Sequence, residues 1–276
     1  MQCAYPIANK HTGELVACGG CTHCRINRRR SWVLRNHLEY MDYPGQATFV
    51  TLTYNPESLP ERALLHKPDI QKFFKNLRNK GFKPRFFGCG EYGPTGLRPH
   101  YHMILYGLPT ATPGSPTHQL IKKCWWNYEK DIPRGNVDVG DVTNASISYV
   151  AGYTLKPETL GKLKKFCWVV PEYSFMSTKP GIGRNALDRI IKQIDKSSYV
   201  TRLDGLNAIR IGGKVYPADR YIKQLAKAAG YHLGSASGGD VIPLDLNELE
   251  RLDEIRYKEK QATIKEANQR KRKSRI

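Results

Sequence analysis

The sequence predicts an α+β domain built on an antiparallel sheet, with helices covering one face. Two observations predict it. Short β-branched and aromatic runs alternate with segments of helical period, and they follow one another in the order β-α-β-β-α-β-α. A third observation concerns scale: 276 residues, 40% of them hydrophobic and 10% aromatic, suffice for a real core in one large domain or two modest ones.

The elements follow in order. The first stretch, "CAYPIANKHTGELVACGGCTHC", is turn-rich. It leads into a helical pattern from Asn27 to Met41, with Arg25, Arg28, Arg29, Arg30 and Arg35 running into and along it. "ATFVTLTYN" reads as a strand because β-branched and aromatic residues fit a pleated, half-buried surface. In "LHKPDIQKFFKNLRNKG", Ile70, Phe73, Phe74 and Leu77 form one apolar helical stripe and Gly81 stops it. "FKPRFFGCGEYG" and "PHYHMILYG" are the next two strands. "THQLIKKCWWNYEKD" reads as a second helix and "GNVDVGDVT" as a fourth strand. "NASISYVAGYTLKP" starts on Asn144 as N-cap and closes at Pro157, so it is expected to be helical. "FMSTKPGIGRNAL" is expected to be a basic, glycine-rich loop leading into a helix. "GSASGG" at 234–239 has the composition of a flexible linker, and the tail from Leu244 is charged and helix-prone. The expected organisation is a Cys-rich, basic segment over 1–45, a central domain over 46–200 and a basic C-terminal extension over 201–276.

Lys and Arg total 44 against 25 Asp and Glu, a formal net charge of +19. Such a charge calls for a polyanionic partner, and nucleic acid is the commonest. An anionic membrane surface is the competing partner, but no cationic amphipathic helix with an exposed Trp/Leu face stands out. No apolar stretch approaches the roughly 18–20 residues that span a bilayer, and the N-terminus carries no signal-peptide core. A soluble, intracellular protein with no membrane partner is expected. Seven cysteines, an odd number, argue against a disulfide framework in such a protein.

"RPHYHMILYG" sets His100 and His102 one residue apart at the start of an apolar run. On a strand, residues i and i+2 share a face, so the two imidazoles project together while Tyr101 points away. Glu91 ends the preceding strand, and a loop between Tyr92 and Pro99 would return the chain antiparallel, bringing Glu91 beside the pair. Two imidazoles and a carboxylate make a divalent-cation site with open positions. Equally, both histidines could be ordinary polar residues on a half-exposed strand. Histidine-triad hydrolases need a third alternating histidine, where Ile104 stands, and cupins need a nearby carboxylate that "MILYG" lacks. In "SYVAGYTLKP", Tyr149, Tyr153 and Lys156 fall on one helical face. Aromatic packing explains the tyrosines as well as chemistry does, although Lys156 on the same face counts against full burial.

"FVTLT", "RPHYHMILYG" and "YVAGYTLK" occur in the order and approximate spacing of the three motifs of rolling-circle replication initiators. From Thr48 to Pro157 the chain resembles this HUH endonuclease superfamily, in its two-tyrosine form. The Cys-rich N-terminus and the "GEYG" turn look closest to the initiators of microviruses of the gokushovirus-like group. One departure is Tyr101, where the motif has a hydrophobic residue. The resemblance implies the HUH endonuclease fold, a five-stranded, ferredoxin/RRM-like antiparallel sheet with helices packed on it. It implies that His100 and His102 bind Mg²⁺ or Mn²⁺, with Glu91 as candidate third ligand. It implies that Tyr149 and Tyr153 are nucleophiles and that Lys156 stabilises developing charge. The activity implied is nicking and rejoining of single-stranded DNA at a viral origin through a 5′-phosphotyrosine, in the cytoplasm of a bacterial host. No P-loop is present, so a host helicase is expected to unwind and a host polymerase to extend. An HUH transposase or mobilisation relaxase, or a noncatalytic single-strand binder, is the alternative; the binder needs neither the histidine pair nor the tyrosine pair.

"CGGCTHC" gives Cys18, Cys21 and Cys24, with Cys3 upstream. Four thiolates match a structural Zn²⁺ site; an iron–sulfur cluster and unliganded thiols stay open, and His11 or His23 could replace one ligand. Closing such a site would fix the basic segment near DNA, where Arg25, Arg28, Arg29 and Arg30 suit phosphate contacts. Arg98, Lys179 and Arg184 are further candidate DNA contacts. "RKRKSR" in the tail reads first as a solvated charge run and, bound to DNA, as a nonspecific hold.

Overall fold

The computed structural model describes residues 3–93, 96–152, 169–188, 208–211, 214–228 and 242–243. The chain divides into one compact unit of 1–142 with 146–200, and a second of 143–145 with 201–276.

The first unit opens with a two-residue pairing of β1 (Ile7–Ala8) and β2 (Leu15–Val16), followed by helix α1 (Thr22–Tyr40). Next come β3 (Ala47–Leu52), α2 (Lys67–Asn79), β4 (Arg85–Tyr92), β5 (Pro99–Tyr106) and α3 (Pro116–Cys124). A short hairpin of β6 (Trp126–Asn127) and β7 (Ile132–Pro133) precedes β8 (Val137–Asp141), α4 (Asn144–Gly152) and β9 (Tyr173–Met176). Strands β8-β3-β5-β4-β9, in that order, form a five-stranded sheet, every neighbour antiparallel. The α+β architecture and the five-stranded antiparallel sheet are those the sequence predicts.

One face of the sheet meets α2 and α3. Val50 and Leu52 of β3 and Tyr101, Met103 and Leu105 of β5 pack with Ile70, Phe73, Phe74 and Leu77 of α2 and with Ile121 and Cys124 of α3. The opposite face is also covered, which corrects the expectation of helices on one side only. Trp32 of α1 lies 5.0 Å from the Phe87 ring of β4, and Tyr106 Oη of β5 donates to Asn36 Oδ1 at 2.8 Å. Buried Glu39 accepts from Arg85 and from the Gly183 backbone at 2.6 Å. Residues 32, 36 and 39 form one helical stripe; polar Asn36 and Glu39 in it obscure the apolar signal of a second covered face.

Three further differences have local causes. Helix α1 begins at Thr22 because Cys21 acts as its N-cap, the side chain accepting from Cys24 N; sulfur here does the work of the usual Ser or Asp oxygen. Helix α3 stops at Cys124 because Trp125 leaves the helical region, its indole donating to Thr53 O at 2.8 Å, and Asn127 Oδ1 accepts from Glu129 N and Lys130 N to turn the chain into the β6–β7 hairpin. Phe175 and Met176, expected in a loop, belong to edge strand β9, followed by turns and a helical segment over 184–188.

In the second unit β10 (Ala208–Ile211) pairs antiparallel with β11 (Lys214–Pro217) and parallel with β12 (Ile242–Pro243). Helix α5 (Arg220–Ala228) follows, its N-terminus capped by Asp219 Oδ1 on Ile222 N at 2.9 Å. The predicted linker at 234–239 and the charged tail lie outside the described residues. Among the described residues no helix is long and apolar enough to cross a membrane.

Removing Glu39 strands Arg85 and an amide donor in the interior. Glu39→Ala should lower stability by about 3–5 kcal/mol, read as a shift of the urea unfolding midpoint, with Glu39→Gln losing less.

Candidate active site

Register builds this site. β4 and β5 pair so that Glu91 stands opposite His100 and Cys89 opposite His102, while β3 places Thr51 opposite His102 from the other side. Glu91, His100 and His102 therefore share one face. His100 Nε2 and His102 Nε2 lie 2.7 and 3.0 Å from the same oxygen, Glu91 Oε1. Glu91 and His102 are buried and His100 is half-buried.

The ring orientations are set from behind. His100 Nδ1 faces Arg98 O at 3.1 Å. A carbonyl only accepts, so Nδ1 carries the proton and Nε2 turns its lone pair toward Glu91. His102 Nδ1 meets Thr51 Oγ1 at 2.9 Å, which directs its Nε2 to the same point. All three ligand atoms lie within 4.8 Å of one another. An ion with bonds of about 2.1 Å in octahedral geometry holds neighbouring donors about 3.0 Å apart, so this donor set fits a small divalent cation. Three ligands from one side leave the other positions open to water or a phosphate oxygen.

Tyr149 comes from α4. Its Oη stands 3.4 Å from His102 Nε2, and its ring meets the rings of His102 and Phe49 edge-on at 5.1 and 6.2 Å. Tyr149 is 44% exposed, open to a substrate. Tyr101 contrasts with it. It points to the opposite face and is fully buried, its phenol pushed up mainly by burial; Oη accepts from His66 N and donates to His66 O, each at 3.0 Å. Tyr153 and Lys156 lie outside the described residues.

The four N-terminal cysteines converge in a second group, all sulfurs within 4.8 Å and neither His11 nor His23 among them. Backbone N–H groups of Cys21 and Gly20 draw the Cys18 thiol down, and those of Cys24 and Ala4 bring Cys21 to about 6, while desolvation pushes Cys24 up to about 12.

The basic candidates divide. Arg29 Nη2 donates to Ser148 O at 3.1 Å, next to Tyr149, and Arg28 Nη2 to Gly19 O at 3.2 Å. Arg25 and Arg30 belong to the same N-terminal half of α1, Arg25 exposed and Arg30 half-buried. Arg98 Nη2 donates to Tyr54 O at 3.0 Å, bracing the end of β5. Lys179 and Arg184 fall elsewhere. Arg85 Nη2 donates to Pro180 O, and Arg184 is forked onto Asp188. Arg85 is six residues from Glu91 along β4, so this segment docks about 20 Å from the histidines.

Two neighbours of the site escaped the sequence reading as site residues: Thr51, which orients His102, and Phe49, whose ring lies near-parallel to that of His102 at 5.9 Å. The signal was the alternation in "FVTLT", which puts Phe49 and Thr51 on one face and Val50 and Leu52 on the other.

A histidine–carboxylate cluster on a five-stranded antiparallel sheet beside a tyrosine-bearing helix is the class of site that the motif resemblance implies. Residues 47–158 match the family model of the replication-associated protein ORF2, and this segment belongs to that family. The chain is 34% identical over 197 residues to replication-associated protein ORF2 of Spiroplasma virus 4, covering 63% of this chain and 58% of that one. It is 28% identical over 200 residues to replication-associated protein VP4 of Bdellovibrio phage phiMH2K (68% and 62%), and 28% over 160 residues to replication-associated protein ORF4 of Chlamydia phage 1 (52% and 39%). The chain thus spans about three-fifths or less of the length of these relatives. No solved structure matches it. The matched segment holds Glu91, both histidines and Tyr149, whereas the cysteine group and the arginines of α1 precede it.

Thr51→Val keeps the shape and removes the oxygen that orients His102. It should weaken Mn²⁺ binding about tenfold in calorimetry, with the circular dichroism spectrum unchanged.

Proposed function

We propose that this protein is a replication initiator: an endonuclease that nicks single-stranded DNA at a viral origin, keeps the 5′ end as a phosphotyrosine and rejoins the strand in rolling-circle replication. The observation that carries the reading is the placement of an exposed phenol, Tyr149 Oη, 3.4 Å from an imidazole of a three-ligand cluster. The family match and the names of the relatives support it.

His100, His102 and Glu91 would hold Mg²⁺ or Mn²⁺. When bound, the ion supplies Lewis-acid neutralisation of a non-bridging phosphate oxygen and of the departing 3′ oxygen. Tyr149 attacks the scissile phosphorus in line: the P–Oη bond forms and the P–O3′ bond breaks. The phenol proton passes to solvent, and the 3′ oxygen takes one up to leave as a hydroxyl. One phosphodiester replaces another, so attack by a 3′ hydroxyl reverses the step without ATP. Tyr153, four residues on, is the second nucleophile, able to cut a regenerated origin while the first still holds an end. Lys156 stabilises the charge that develops. Arg25, Arg28, Arg29, Arg30 and Arg98 guide phosphates near the site, and Lys179 and Arg184 hold a more distant stretch.

In this reading 46–200 is the endonuclease domain, 1–45 its basic Cys-rich leader and 201–276 a basic extension. The protein acts in the cytoplasm of a bacterial host with a host helicase and polymerase.

The test is adduct formation on the single-stranded DNA of the cognate genome, read on denaturing gels and mapped by mass spectrometry. With Mg²⁺ or Mn²⁺, wild type should form an adduct at Tyr149 or Tyr153 that the Tyr149→Phe, Tyr153→Phe double variant lacks, a loss on the order of 10⁴-fold. His102→Ala should reduce the adduct rate by at least about 10²-fold, and so should a chelator. Tight binding without an adduct on any strand would leave a single-strand binder and overturn the nuclease.

A further inference from the structure

We propose that Cys3, Cys18, Cys21 and Cys24 bind one structural Zn²⁺, and that this ion anchors the start of α1 so that Arg29 holds α4, the helix of Tyr149. The importance given to α4 rests on the endonuclease reading; the metal site does not.

Spacing comes first. Cys3 Sγ lies 3.8 Å from Cys21 Sγ, and Cys18 Sγ lies 3.9 Å from Cys24 Sγ. Four sulfurs placed tetrahedrally at zinc bonds of about 2.3 Å sit about 3.8 Å from one another. A disulfide requires about 2.05 Å. An iron–sulfur cluster interposes sulfide and holds its cysteine sulfurs farther apart than a single ion does. Four soft thiolates select zinc over Mg²⁺.

The sulfurs are also prepared for charge. Cys3 Sγ accepts from Cys18 N at 3.3 Å, and Cys18 and Cys21 Sγ accept from Cys21 N and Cys24 N, both at 3.4 Å. Each N–H offsets part of the negative charge that a tetrathiolate site accumulates.

The segment needs a cross-link. Between Cys3 and Cys18 the chain makes only the two-residue strands β1 and β2, and Tyr5, Ile7, Leu15 and Val16 are exposed, Tyr5 at 73% and Leu15 at 74%. With so little apolar burial, binding free energy of a metal is what can order such a segment.

From this anchor the path to α4 is short. Cys21 caps α1 and Cys24 lies in its first turn; Arg28, one turn on, reaches back to Gly19 O within the cysteine loop. Arg29, beside it, donates to Ser148 O. A Cβ on Gly152 would sit 3.6 Å from Arg29 Nε, so the guanidinium lies along α4 close to its backbone. Arg29 is in this respect a positioning residue for Tyr149.

The experiment uses the full chain without DNA. Elemental analysis should give one equivalent of zinc in a His100→Ala, His102→Ala background, which removes the other cluster as a zinc ligand set. Co²⁺ substitution should give thiolate charge-transfer and tetrahedral d–d bands, both lost in Cys18→Ser. Hydrogen exchange should then show protection falling about tenfold or more in 22–30 and 146–152 on zinc removal, with β5 unchanged. Arg29→Ala should keep its zinc and the protection of 22–30, and lose protection only in α4. Iron in place of zinc, or Co²⁺ without thiolate bands, overturns the site. Unchanged α4 exchange in Arg29→Ala overturns the coupling, and this arm decides the matter even if the chelated protein unfolds as a whole.

Discussion

A slip of one residue between β4 and β5 would send Glu91 to the face opposite His100 and His102, because side chains alternate with period two. The cluster depends on that register, and the α2 face enforces it. Gly88 and Gly90 occupy the β4 positions facing α2. A Cβ on Gly88 would come within 2.7 Å of Met103 Cβ, and one on Gly90 within 3.0 Å of the Tyr101 ring. The two glycines make room for those large side chains of β5, while Phe87, Cys89 and Glu91 take the other face. In "GCGEY" the small residues choose the register and the carboxylate follows.

The two faces of the sheet do different work with similar residues. On the α2 side, buried Asp69 accepts from Tyr54 Oη at 2.8 Å and pairs with Arg134 at 2.9 Å and His66 at 3.1 Å. Burial there pushes the Tyr54 and Tyr101 phenols up, which keeps them neutral. On the other side a carboxylate and two imidazoles converge beside a phenol that is open to solvent. Exposure and ligand geometry, rather than residue type, separate an interior polar knot from a reactive centre.

Much of this was legible in the sequence because alternation is legible. The histidine pair, the return of Glu91 through a hairpin, the inward turn of Tyr101 and four of the five strands follow from period-two reasoning. What escaped depends on contacts distant in sequence or on unusual chemistry. A cysteine sulfur as N-cap starts α1 at Thr22, ahead of the Asn27 that the pattern suggested. Strand β9 pairs at an edge through residues whose local signal is a loop. The second covered face rests on Asn36 and Glu39, polar residues buried because Tyr106 and Arg85 meet them there. Thr51 lies within a readable motif, yet its role depends on the cross-strand neighbour, which no single segment reveals.

Tyr101 has one more consequence. It stands between the two histidines in the chain, and its hydroxyl is bonded to both the amide and the carbonyl of His66 and lies 3.3 Å from Tyr54 Oη. The backbone that carries the imidazoles is therefore clamped from the far side of the sheet. Such a cradle cannot widen readily. Calcium, with bonds of about 2.3–2.6 Å, spreads neighbouring donors to about 3.4 Å, beyond the 2.7 and 3.0 Å found between Glu91 and the imidazoles. A buried tyrosine with no place in the chemistry thereby becomes a gauge of ionic radius.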